Sequence, residues 1–140
     1  MNEKSDTTPR SPEVSFEPGG IAARTVEIVQ KDSEVFESRS QEAREHFMKR
    51  LDIIERANNP QEVARIFDIP AYPGGNLSER TPEQIEGLLA QFIEKQEQRR
   101  EEFKKKGKVW GLPGGGGENL AYDNYMLAQA ALEKIGSFSQ

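Results

Sequence analysis

The spacing of large apolar side chains between Thr81 and Ile93 constrains this chain more than any other feature. Ile85, Leu88, Leu89, Phe92 and Ile93 fall at i, i+3, i+4, i+7 and i+8, the repeat that gathers side chains on one face of an α-helix. A strand would scatter them over both faces. Thr81-Pro82 opens the segment. The Thr hydroxyl suits a cap, and Pro suits the first helical position because its missing N–H would be unpaired there anyway. Glu83 and Gln84 follow in the positive first turn. Past Ile93 the stripe thins, and Phe103 is the single large apolar residue between Lys95 and Lys106. A helix carried to Lys106 would be about 37 Å long, with a second half polar all round. Such an end projects into solvent or binds something.

Two further stretches repeat the pattern. Ala43, Phe47, Leu51 and Ile54, with Met48 beside them, predict a helix from about Ser40 to Ala57, with Glu45–Lys49 and Asp52–Arg56 as pairs four residues apart. Asn59 then caps a short helix from Pro60 to about Phe67, and Glu62 stands where a capping box wants it. The last helix runs from about Glu118 to Ile135, carries Leu120, Leu127, Ala128, Ala131, Leu132 and Ile135 on one side, and is expected to end at Gly136. Tyr122, Tyr125 and Met126 widen its apolar surface beyond one stripe.

The segments between are of a different character. Residues 1–37 hold 8 acidic and 4 basic groups and are broken by Pro9, Pro12, Pro18, Gly19 and Gly20, so they read as an extended, disordered acidic arm, within which Thr25–Val29 suits a short strand only if an edge is offered to it. Residues 38–69 form a helix pair, 70–80 a Pro/Gly loop, 81–106 the long helix with its basic end, 107–117 a Gly-rich loop, and 118–140 the C-terminal helix. The fold expected is mainly α: a small helical hairpin or three-helix unit with a long arm and Gly/Pro-rich loops. Only 34% of residues are hydrophobic, against about 45–50% in ordinary globular chains. Three helices of this kind bury too little to order the whole chain, and neighbouring molecules are expected to supply the missing contacts.

Function classes narrow by exclusion. With 140 residues, no cysteine and one histidine, disulfides, thiol catalysis and cysteine-ligated metals are out. No apolar run is long enough to span a bilayer, and the N-terminal residues resemble neither a secretory signal nor a transit peptide, so a cytoplasmic protein is expected. His46 has Glu42, Glu45 and Arg50 near it but no nucleophile to activate, and it reads as an ordinary helix residue. Gly114–Gly117 before a helix has the logic of an anion loop, yet neither a Walker nor a dinucleotide pattern follows. No catalytic residue, metal or cofactor is expected.

Two constellations remain. An aromatic residue precedes a Pro-Gly-Gly three times, as Phe16, Tyr72 and Trp110; each reads either as turn punctuation or as an anchor for a partner surface. Together with Tyr122, Tyr125 and Met126 these are the candidate partner-binding residues. Residues 99–108 carry Arg99, Arg100, Lys104, Lys105, Lys106 and Lys108 against two glutamates in a chain of net charge -5. With Phe103 and Trp110 interleaved, this block suits phosphates and stacked bases, or simply the negative end of a helix dipole. The leading expectation is a non-enzymatic adaptor subunit docking on a larger protein assembly, a minor component of a virus particle being one setting. The alternative is a nucleic-acid-associated accessory protein acting through residues 99–110. Self-association through the long helix is a third reading, weakened by an apolar stripe of little more than one heptad.

Overall fold

A computed structural model describes residues 16–67, 76–110 and 118–138. Six α-helices among these residues carry the fold: α1 (Ile21–Lys31), α2 (Ser33–Glu37), α3 (Gln41–Arg56), α4 (Pro60–Ala64), α5 (Pro82–Lys105) and α6 (Glu118–Ser137). Single 3-10 turns occupy Arg65–Phe67 and Leu77–Glu79. No strand occurs among the described residues, and the protein is mainly α as its periodicity requires.

The caps form where the side chains predict them. Thr81 Oγ1 accepts from Gln84 N–H at 3.2 Å, and Gln84 Oε1 accepts from Thr81 N–H at 3.1 Å, a complete capping box. Ser40 Oγ accepts from Ala43 N–H at 3.1 Å. Asn59 Oδ1 accepts from Glu62 N–H at 2.9 Å, but the Glu62 carboxylate reaches past the cap to Asn58 N–H at 2.7 Å. Gly136 does not stop α6, which continues to Ser137.

The helix α6 is the hub. Tyr122, Tyr125, Met126, Leu127, Ala128, Ala130, Ala131 and Ile135 are all buried, more than one stripe can account for. The reason is that α1, α3, α4 and α5 all pack against it. Ala128, Ala130 and Ala131 allow close approach, while Leu51, Ile54, Val63, Ile85 and Leu89 from the surrounding helices fill the remaining space with almost no exposure. The breadth seen in the sequence is thus used within the molecule's own core.

The expected extended arm is corrected over residues 21–37, which are helical. Ala22, Thr25 and Val29 share a face of α1 and are buried, as is Val35 on α2. Gly20 at the α1 N-cap has no side chain to offer, so the Glu55 carboxylate of α3 takes that role: its Oε1 accepts from Ala22 N–H at 2.9 Å and its Oε2 from Glu17 N–H at 3.3 Å. A negative group at the positive helix end adds to the contact. Pro18-Gly19-Gly20 therefore precedes a helix and does not interrupt one. Gly19, at φ +80°, turns the chain into it. Arg44 fixes α2 by lying 4.6 Å over the Phe36 ring and donating to the Phe36 carbonyl at 3.2 Å. Residues 1–15 lie outside the described residues, as do Tyr72, most of the 70–80 loop and Gly114–Gly117.

Candidate functional site

The end of α5 determines where the site forms. Gly107 adopts φ +71°, its N–H bonds the Lys104 carbonyl at 3.0 Å, and Lys108 N–H bonds the Phe103 carbonyl at 2.9 Å. This paired arrangement is a Schellman turn, whose left-handed residue is glycine because a Cβ there is strained. The chain reverses and carries Trp110 back onto α6. The indole meets the Tyr122 ring at 5.4 Å and 74°, and the Tyr125 ring at 5.3 Å and 69°, both edge-to-face. Such pairs contribute about 0.5–1.5 kcal/mol beyond their burial.

These aromatics floor an open cleft of about 510 Å³. Its walls are Ile28, Lys31 and Asp32 from the end of α1, Arg100 from α5, and Met126 and Gln129 from α6. Ile28 is 56% exposed at its edge, an isolated branched aliphatic side chain held in water beside an apolar floor. On the far side of Arg100 and Tyr125 lies a shallower depression of about 410 Å³, bounded by Glu94, Glu97, Gln98 and Glu101. The Tyr125 hydroxyl is fixed between the two, donating to Glu97 Oε2 at 3.1 Å and accepting from Gln129 Nε2 at 3.0 Å.

Beneath the floor is a charged support. Arg39, with a side chain only 7% exposed, donates from Nη2 to Asp123 Oδ1 at 3.0 Å, and its guanidinium lies 5.7 Å from the centre of the Tyr122 ring. Arg50 Nη1 approaches Asn124 Oδ1 at 3.4 Å. Burial raises the Asp123 carboxyl above its ordinary range, against the opposing pull of Arg39. Burial, reinforced by the charges of Asp32 and Asp123, pushes the Tyr122 phenol up to about 12. Burial also raises Tyr125, helped by its bond to Glu97. Tyr122 is therefore a neutral phenol at physiological pH and serves as floor. Trp110 Nε1 and Gln96 Oε1 are buried and have no hydrogen-bond partner among the described residues.

The residues proposed from sequence divide accordingly. Trp110, Tyr122, Tyr125 and Met126 converge on this one cleft, though as buried floor with little surface of their own, not as protruding anchors. Phe16 is half-buried and packs on the core. Arg99, Arg100, Lys104, Lys105, Lys106 and Lys108 are all exposed, but their interleaved aromatics turn inward: Phe103 packs on the core and Trp110 is 5% exposed. The stacking platform expected for bases is not presented. Sequence reasoning missed Ile28, Lys31, Asp32 and Gln129. The signal for the first three was the Ala22, Thr25, Val29 repeat, which makes the segment a helix and puts Ile28, about 100° round from Val29, on the flank of the buried face. Among the described residues no group of three or more His, Cys, Asp or Glu is placed to hold a metal ion, and no helix is long and apolar enough to cross a membrane. Comparison with protein-family models, characterised proteins and solved structures finds no match to this chain.

Proposed function

We propose that the protein is a non-enzymatic docking subunit that holds a segment of a larger protein partner in the cleft between α1, α5 and α6. The observation that carries this reading is Ile28, more than half exposed beside a floor of Trp110, Tyr122, Tyr125 and Met126. Energetically dominant contacts in protein interfaces are enriched in Trp, Tyr and Arg, sit in well-packed pockets, and are ringed by energetically near-neutral contacts that exclude water. Lys31, Asp32, Arg100 and Gln129 supply such a ring. A multi-subunit assembly, for example a virus particle, is the setting this fits.

The test is a photoreactive benzophenone amino acid at position 28, with position 83 at the exposed start of α5 as control, illuminated in the native host. The expected result is a discrete protein adduct from position 28 and none from position 83. Equal labelling from both positions, or none from position 28, would sink the reading.

A second reading rests on the six exposed cations of residues 99–108. With the aromatics turned inward, contact with nucleic acid would be through phosphates alone, so it would be insensitive to sequence and steeply weakened by salt. Binding of labelled DNA or RNA at low salt, lost on replacing Lys104, Lys105 and Lys106 with Gln, is its expected signature.

A further inference from the structure

Independently of the cleft, we infer that the tip of α5 is a docking surface for an anionic lipid bilayer. Residues 104–109 are exposed without interruption. This stretch holds Lys104, Lys105, Lys106 and Lys108 and no carboxylate, in a chain whose net charge is -5. Among the described residues none of the four lysines enters a salt bridge, although Glu101 and Glu102 stand about one turn back on the same helix. Their charge is available to a partner outside the molecule.

The arrangement selects the kind of partner. Successive helical residues lie about 100° apart around the axis, so Lys104, Lys105 and Lys106 radiate over about 200° of the helix end. The reversal at Gly107 then adds Lys108 to the same tip. Cations ringed about an end meet a flat anionic surface together. A nucleic-acid strand or groove follows a track, and would reach only those on one side. The aromatics that would stack on bases are withdrawn, Phe103 onto the core and Trp110 into it. What the tip presents in their place is Val109, a branched aliphatic side chain 39% exposed, which sheds contact with water when seated between headgroups. Lysine suits the role, being a point charge on a flexible stem that needs no fixed geometry from its partner. Each one near such a surface strengthens binding about five-fold. The acidic remainder of the chain is repelled by the same surface, which orients the molecule tip-first.

Co-sedimentation of the full-length chain with phosphatidylcholine vesicles, with or without phosphatidylserine as about a third of the lipid, tests this. The protein is expected to sediment only with the anionic vesicles and to be released by raised salt. Replacing Lys104, Lys105 and Lys106 together with Gln should weaken binding at least about tenfold. Because the chain has no cysteine, Val109→Cys accepts a single polarity-sensitive dye, with Glu83→Cys at the far end of α5 as control. Dye emission should shift to the blue on anionic vesicles from position 109 and not from position 83. All five positions are exposed, and helical circular dichroism confirms that each variant folds. Failure to sediment with anionic vesicles, undiminished binding by the triple variant, or a dye at position 109 that shifts no more than the control overturns the inference. So does binding of labelled duplex DNA without binding of vesicles, which returns these cations to the nucleic-acid reading.

Discussion

Replacing Gly20 with alanine should destabilise the fold through a residue in another helix. A Cβ built at Gly20 would lie 2.8 Å from Glu55 Oε1 and 3.1 Å from the Glu17 carbonyl oxygen. The backbone oxygen cannot easily retreat, so the carboxylate must, and that carboxylate caps α1 through Ala22 N–H at 2.9 Å. A charged hydrogen bond to a partly buried group contributes about 1.5–3 kcal/mol, and loss of an N-cap costs about 0.5–2 kcal/mol. Glu55→Ala should therefore cost about 2 kcal/mol. Gly20→Ala should cost about 1–2 kcal/mol, since the displaced carboxylate keeps some longer-range attraction to the helix end. The two should not add. With Glu55 already truncated the carboxylate is no longer there to displace, and Gly20→Ala should then cost only about 0.5–1 kcal/mol, the ordinary penalty of Ala relative to Gly at an N-cap. Urea denaturation of the four proteins gives the coupling, expected at about 1 kcal/mol with the slope unchanged. Additive costs would refute the claim that Glu55 caps α1 through the space Gly20 leaves.

Other consequences can be checked in the same way. Gly107→Ala meets no atom within 4 Å, so its cost should be the left-handed backbone alone, about 1–2 kcal/mol, with Trp110 fluorescence shifting to the red as the indole loosens from α6. Asp123→Ala removes a carboxylate oxygen that accepts from Arg39 Nη2 at 3.0 Å and Nε at 3.3 Å and should cost about 1.5–3 kcal/mol in chemical denaturation. Because the folded Asp123 carboxyl is raised, its contribution is complete below the ordinary carboxylate value and is lost as pH rises through the folded value. Asp123→Asn should flatten that segment of the stability–pH curve. Tyr122, raised from 10.0 to about 12, favours the fold most below its ordinary value and loses that contribution as pH climbs towards 12. Phenolate absorbance should show late titration from both Tyr122 and Tyr125, and Tyr122→Phe should remove part of it while leaving that of Tyr125.

The helices legible in the sequence are those whose caps and stripes are both local. Thr81 and Asn59 announce the starts of their helices with their own side chains, and the stripe of α5 needs no partner to be recognised. What escaped was α1, whose cap comes from Glu55, more than thirty residues away. Its glycine looked like a break because the residue that completes it cannot be seen locally. The same limit applies to the cleft. Trp110, Tyr122, Tyr125 and Met126 stood out by residue type, but their convergence depends on the Gly107 reversal, and the Ile28 wall depends on a helix that the Pro-Gly-Gly run concealed. Conversely, the exposure expected of the aromatics in residues 99–110 failed because Phe103 and Trp110 lie on the inward side of a turn whose cations all point out.

The placement of α6 bears on how the protein comes into being. The other long helices pack around a segment that leaves the ribosome after them, at about 5–20 residues per second, so during synthesis the faces that will meet it stay open for several seconds. The strongly charged outer surfaces of α3 and α5 suit such a wait, keeping nascent chains apart until the hub emerges and the bundle assembles around it.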